Sequence, residues 1–104
     1  MSAKPPTPAP DAAALERATD IFRALSNPLR VGIVRELARG DRAVHELVSA
    51  LGVAQPRISE HLAILRAVNL VERHRHGRSV TYHLTDEHVA HIVEDAVVHA
   101  VEER

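Results

Sequence analysis

The sequence contains no cysteine. Disulfides, a thiolate metal site and a cysteine nucleophile are therefore excluded, and a reducing, cytoplasmic location is the expectation. No apolar run approaches the ~20 residues of a membrane span, and the N-terminal segment has no apolar signal stretch, so no membrane partner is expected. There is no glycine-rich phosphate loop, no HExxH pair and no nucleophile motif, so nothing supports an enzyme such as a small metal-dependent hydrolase. No internal repeat is visible. A chain of 104 residues makes one domain with a modest core, and a partner subunit would help to complete that core.

Net charge is also small, −1, which taken alone argues against a nucleic-acid binder. The distribution argues for one. Gln55 to Leu84 holds five Arg against Glu60 and Glu72, a net +3, with four His in addition. Asp86 to Arg104 holds six acids against one Arg, a net −5. A basic module followed by an acidic helix is the pattern of interest. The other reading of the same charges is two ordinary solvated faces of opposite sign.

The segment 1–10 carries four Pro and no large apolar residue after Met1, and it reads as a disordered tail. The domain is expected over 11–104. Asp11 is a candidate N-cap for a first helix whose stripe is Leu15, Ala18, Ile21, Phe22 and Leu25. Asn27-Pro28 starts a second helix, with Leu29, Ile33 and Leu37 inward and Gly40 at its end. A short third helix places Val44, Leu47, Val48 and Leu51 on one face and closes at Gly52. The fourth begins at Gln55-Pro56 and buries Ile58, Leu62 and Leu65, with Asn69 as its stop. The third helix, the Gly52 turn and the fourth helix make a helix-turn-helix.

A hairpin follows. Val80, Tyr82 and Leu84 alternate with Ser79, Thr81 and His83, and His76-Gly77 supplies the turn. Arg73, Arg75 and Arg78 flank it. A last helix capped by Asp86 runs to about Glu103, with Val89, Val93, Ala96, Val97 and Ala100 on its apolar face. The expected fold is α+β and mostly helical: four helices, a two-stranded wing and a C-terminal dimerisation helix, a winged helix-turn-helix.

Two constellations carry chemistry. In the first, the fourth helix enters the major groove of double-stranded DNA and the wing lies along phosphates. Arg57 is the candidate for pairing bidentately with guanine, and Gln55 for adenine. Ser59 suits a phosphate contact, and Glu60 shares the exposed face with them. His61 adjoins the buried Leu62, so it is either packing or a phosphate contact. Arg73, Arg75, His76 and Arg78 are wing-tip phosphate candidates; each alone also reads as a solvated charge. In the second, Asp86-x-His88 precedes His99-x-x-Glu102 by ten residues. Imidazole and carboxylate suit zinc, cobalt or nickel. His88 and His99 are about 16 Å apart along a helix, so one ion could join them only across two antiparallel copies, giving two equal sites. The alternative is a polar stripe with unrelated histidines.

Three stretches resemble the ArsR/SmtB family of bacterial metal-responsive regulators: Phe22-Arg-Ala-Leu-Ser-Asn-Pro-Leu-Arg, Ile58-Ser-Glu-His-Leu-Ala-Ile-Leu, and Leu70-Val-Glu-Arg through Gly77-Arg-Ser-Val-Thr-Tyr-His-Leu. Asp86, His88, His99 and Glu102 match the family's four inter-subunit metal ligands. The resemblance implies a homodimer held by the first and last helices, binding to an inverted-repeat operator, and repression that weakens when metal binds. The family's cysteine pair near the third helix is missing, which removes thiolate sensing of arsenic, cadmium and lead. Zinc or cobalt needs only the four residues, whereas octahedral nickel would recruit His91, Asp95 or water. The alternative is a DNA-binding regulator with a silent metal site, activating in the apo form and controlled by a partner protein.

Overall fold

A computed structural model of the chain describes residue 9 and residues 11–103. The tail expected over 1–10 lies outside the described residues except at Ala9. The described residues form five helices and two strands: α1 (Ala12–Leu25), α2 (Pro28–Ala38), α3 (Val44–Leu51), α4 (Gln55–Ala67), β1 (Val71–His76), β2 (Ser79–Leu84) and α5 (Glu87–Glu102). None of the described helices is long and apolar enough to cross a membrane.

Local chemistry explains most boundaries. The Asp11 carboxylate accepts from the Ala14 N–H at 2.7 Å, and the Asn27 side chain accepts from the N–H groups of Leu29 and Arg30 at 2.9 and 3.1 Å. Each satisfies donors that the first helical turn leaves without partners. Pro28 occupies the first turn of α2, where its missing N–H costs nothing. At α3 the Glu46 carboxylate reaches back to the Ala43 N–H at 2.8 Å. Gly52 closes α3 with φ 66°, a left-handed conformation that glycine adopts without penalty.

Asn69 does for α4 what glycine does for α3. It takes φ 59°, and the chain reverses with Asn69 N–H donating to Arg66 O and Leu70 N–H to Leu65 O, both at 3.0 Å. That pair of bonds is the Schellman motif, and it carries the apolar residues Leu65 and Leu70 into the core together.

The helix α2 packs against α1, α3, α4, α5 and β2. The core around it is Ile33, Val34 and Leu37 of α2 with Leu47, Ile58, Leu62, Leu65, Leu70, Val71, Val89 and Val93. The strands pair antiparallel from Val71↔Leu84 to His76↔Ser79. The turn is therefore Gly77-Arg78, one residue later than the His76-Gly77 turn expected. Gly77 holds φ 60° at the first of the two turn positions, where a type II′ hairpin turn places glycine. The hairpin is also anchored by a bridge that the sequence did not suggest. Arg42 and Tyr82 exchange backbone hydrogen bonds at 3.1 and 2.8 Å, so the segment before α3 runs alongside β2.

The apolar face expected on α5 divides in two. Val89 and Val93 are buried within the protomer, each 4% exposed, because α5 lies on α2. Two positions of the apolar face expected on this dimerisation helix are thus taken up by the protomer's own core. Ile92, Ala96 and Ala100 instead line an open groove with Phe22, Leu25 and Val31. Phe22 is 61% exposed and Ile92 39%.

Candidate functional site

The helix-turn-helix is set by packing. Ile58, Leu62 and Leu65 anchor one side of α4 in the core, which turns Gln55, Arg57, Ser59, Glu60 and Ala63 outward to solvent. Among the described residues, the side chains of Gln55, Arg57, Ser59 and Glu60 have no hydrogen-bond or ion-pair partner, so they stand ready for an external one. Gln55, at the start of α4, shares a groove with Arg78, Ser79 and Thr81 of the hairpin and with Val44, His45 and Glu46 of α3. The start of α4 and the turn end of the wing thus line one groove.

His61 belongs elsewhere. It is 9% exposed, and its Nδ1 lies 3.0 Å from Nη1 of Arg30. A guanidinium only donates, so Nδ1 accepts and the ring proton sits on Nε2. Arg30 also donates through Nε to the carbonyl of Ala24. One side chain of α2 thereby ties the end of α1 to the middle of α4. The burial of His61 and its contact with Arg30 are those of a packed side chain. Sequence reasoning missed Arg30, since its partners lie 6 and 31 residues away.

The wing residues do not share one face. Strand period puts Arg73 and Arg75 on the side of their partners Tyr82 and Val80, while His76 lies on the opposite side with His74. Arg78 is in the turn. Arg73, Arg75, His76 and Arg78 are all exposed, and no described acidic residue pairs with the three arginines. Their positive charge is therefore uncompensated locally, which suits a polyanion.

The candidate metal ligands occupy the two ends of α5. Asp86 caps the helix through Oδ1, which accepts from the N–H of His88 at 2.8 Å and of Val89 at 3.4 Å; Oδ2 remains available. His88, His99 and Glu102 are exposed. Nε2 of His99 is 3.4 Å from Oε1 of Glu103, a loose contact between two exposed side chains. Among the described residues of one protomer, no three His, Asp or Glu groups converge on a point that could hold an ion. Two nitrogen and two oxygen donors, all accessible, fit a borderline divalent ion chemically. What one chain lacks is convergence, because the two pairs sit at opposite ends of α5, with His88 and His99 about 16 Å apart along its axis.

A helix-turn-helix joined to a basic hairpin defines a winged helix-turn-helix protein. A family model for bacterial regulatory proteins of the arsR family matches residues 27–73, and the HTH-type transcriptional regulator NmtR of Mycobacterium tuberculosis is 36% identical over 86% of this chain and 75% of its own length. The chain belongs to the arsR family. Its members are regulators rather than enzymes.

The HTH-type transcriptional repressor SmtB of Mycobacterium tuberculosis is 52% identical over 89 residues, which are 86% of this chain and 66% of that protein. The match thus spans just under two thirds of that relative. A solution structure of a homodimeric winged helix-turn-helix DNA-binding domain from Mycobacterium bovis, a possible ArsR-family transcriptional regulator, superposes with TM-score 0.80 at 34% identity and covers 88% of this chain and 85% of that one.

Proposed function

We propose that this chain is a homodimeric, sequence-specific DNA-binding regulator, acting as a repressor, whose DNA affinity is lowered by a divalent metal held between the two α5 helices. The observation that carries the reading is the single exposed surface formed by the unpartnered polar face of α4 and the basic wing. α4 offers Arg57 and Gln55 to base edges, and Arg73, Arg75 and Arg78 meet phosphates. The repressor named SmtB and the M. bovis homodimer support the assembly and the direction of regulation.

The metal reading rests on chemistry and distance. Asp86 and His88 of one chain and His99 and Glu102 of its partner would hold each ion, since the two ends of one α5 cannot meet. Zinc or cobalt is satisfied by these four donors. The ion supplies a fixed link between the two helices, and what the protein's own residues supply is the restriction on how the two α4 helices are spaced. Imidazoles ligate only when neutral, so metal affinity falls as pH drops toward ~6. Binding linkage makes DNA weaken metal binding by the same factor as metal weakens DNA binding.

The test is a mobility shift on an inverted repeat from the chain's own upstream DNA, with zinc, cobalt and nickel, for wild type and His99→Ala. Wild type should bind the operator without metal and release it with metal. His99→Ala should bind equally well and ignore metal. No specific shift in any condition would overturn the DNA reading. A metal-blind wild type would overturn the metal reading and leave control to an accessory protein.

A further inference from the structure

We propose that Glu60 is a base-selecting residue. Its carboxylate accepts from the N4 amino group of a cytosine in the major groove, next to the base pair that Arg57 reads, and it disfavours the other bases at that position. The inference rests on the DNA reading given above and goes beyond it to the sequence that the chain selects.

Glu60 is an acid without a partner on a basic module. Gln55 to Leu84 contains two acids, Glu60 and Glu72. Oε2 of Glu72 lies 2.9 Å from Nε2 of His83. Glu46 of α3, which shares a groove with Gln55, is also engaged, since it accepts from the Ala43 N–H at 2.8 Å. Glu60 is exposed, and among the described residues neither its own helix nor a neighbouring element gives it a hydrogen bond or an ion pair. Arg57 stands at i−3, a spacing at which helical ion pairs form, yet the two side chains do not pair. At i+4 the neighbour is Ile64, which offers no donor.

A free carboxylate on a surface that meets phosphates is repelled by any duplex. That repulsion is offset only where a base edge donates. In the major groove cytosine presents its N4 amino donor, whereas guanine and thymine present acceptors, and adenine sets the N7 acceptor beside its N6 donor. Cytosine is therefore the base that an acid selects, and the other bases leave the repulsion uncompensated. Three residues along a helix rise ~4.5 Å, and successive base pairs rise ~3.4 Å. Side chains at 57 and 60 are thus spaced for adjacent base pairs. Ile58, Leu62 and Leu65 hold the other side of α4 in the core, which keeps both side chains on the exposed side of the helix.

The experiment selects random-sequence DNA duplexes by binding to the full chain without metal, for wild type, Arg57→Ala, Glu60→Ala and Glu60→Gln. Wild type should select a motif with a cytosine that Glu60→Ala relaxes, next to the base pair that Arg57→Ala relaxes. Glu60→Gln should favour adenine at the cytosine position, since Gln pairs bidentately with adenine. Two duplexes that differ only there, C·G and T·A, complete the cycle. Wild type should prefer the C·G duplex at least about five-fold, the low end for one mismatched base pair. Glu60→Ala should bind the two alike, and should bind the T·A duplex more tightly than wild type does, because no carboxylate then faces the thymine O4. A wild type that selects no motif overturns the DNA reading and this inference with it. A selected motif that Glu60→Ala leaves unchanged overturns this inference alone. So does a loss of preference confined to the base pair that Arg57→Ala relaxes, which would make Glu60 a support for that guanidinium.

Discussion

Two arginines with the same charge stand in opposite surroundings because of where the backbone puts them. Arg30 is half-buried and spends its donors on His61 and the carbonyl of Ala24. Arg57, on the exposed side of α4, has no described partner. Replacing Arg30 by Ala strands two acceptors at the junction of α1, α2 and α4. Arg30→Ala should lower unfolding free energy by about 1–3 kcal/mol, measured by urea denaturation; unchanged stability would show that the link does not hold those helices together. Arg57→Ala should leave stability alone. It should instead cost roughly 1–3 kcal/mol of operator binding and relax discrimination at one base pair. Equal losses on operator and random DNA, in a competition assay, would move Arg57 to the backbone.

Among the elements, the wing differs most from its neighbours. It is a two-stranded hairpin, and such a unit is marginal on its own in water. Here it is held at its base by Val71 and Leu84 in or against the core and by the Arg42–Tyr82 bridge. Its distal half, from Glu72 through Ser79, is exposed, so substitutions there act on surface charge rather than on folding. Arg75→Ala or Arg78→Ala should weaken binding to specific and random DNA alike. Each lost phosphate contact should flatten the slope of log affinity against log salt by about one. Slopes equal to wild type in both variants would mean that the wing tip does not touch phosphate. The two faces of the same hairpin carry different side chains, Arg73 and Arg75 on one and Glu72, His74, His76 and His83 on the other.

For the whole molecule the division of α5 matters most. Val93 is 4% exposed and Ile92 39%, although they are sequence neighbours of similar character. Val93→Asp would bury a charge without a partner, at a cost of several kcal/mol, and should unfold the protomer. Ile92→Asp places its charge in the open groove that Phe22, Ala96 and Ala100 also line. It should leave the protomer folded by circular dichroism and shift light scattering from dimer to monomer. DNA affinity should drop with it, because one half-site captures only part of the contact energy. A stable Ile92→Asp dimer would place the subunit interface on another surface.

The sequence by itself determined the features that depend on near neighbours. Helix starts at Asp11, Asn27 and Asp86 follow from side chains reaching N–H groups two or three residues on. The stop at Asn69 and the tight turn at Gly77 follow from residues that tolerate positive φ. The order of helices and hairpin follows from period 3.6 giving way to period 2. Tertiary structure decided what no local pattern contains. It buried His61 by bringing Arg30 across 31 residues. It split one apolar stripe of α5 between core and groove, because α2 covers only part of that helix. It set His83 beside Glu72 and His74 beside His76, because strand register, which depends on the turn falling at Gly77-Arg78, chooses which side chains share a face. Periodicity names the residues that prefer burial; only the position of the other elements settles which of them are covered.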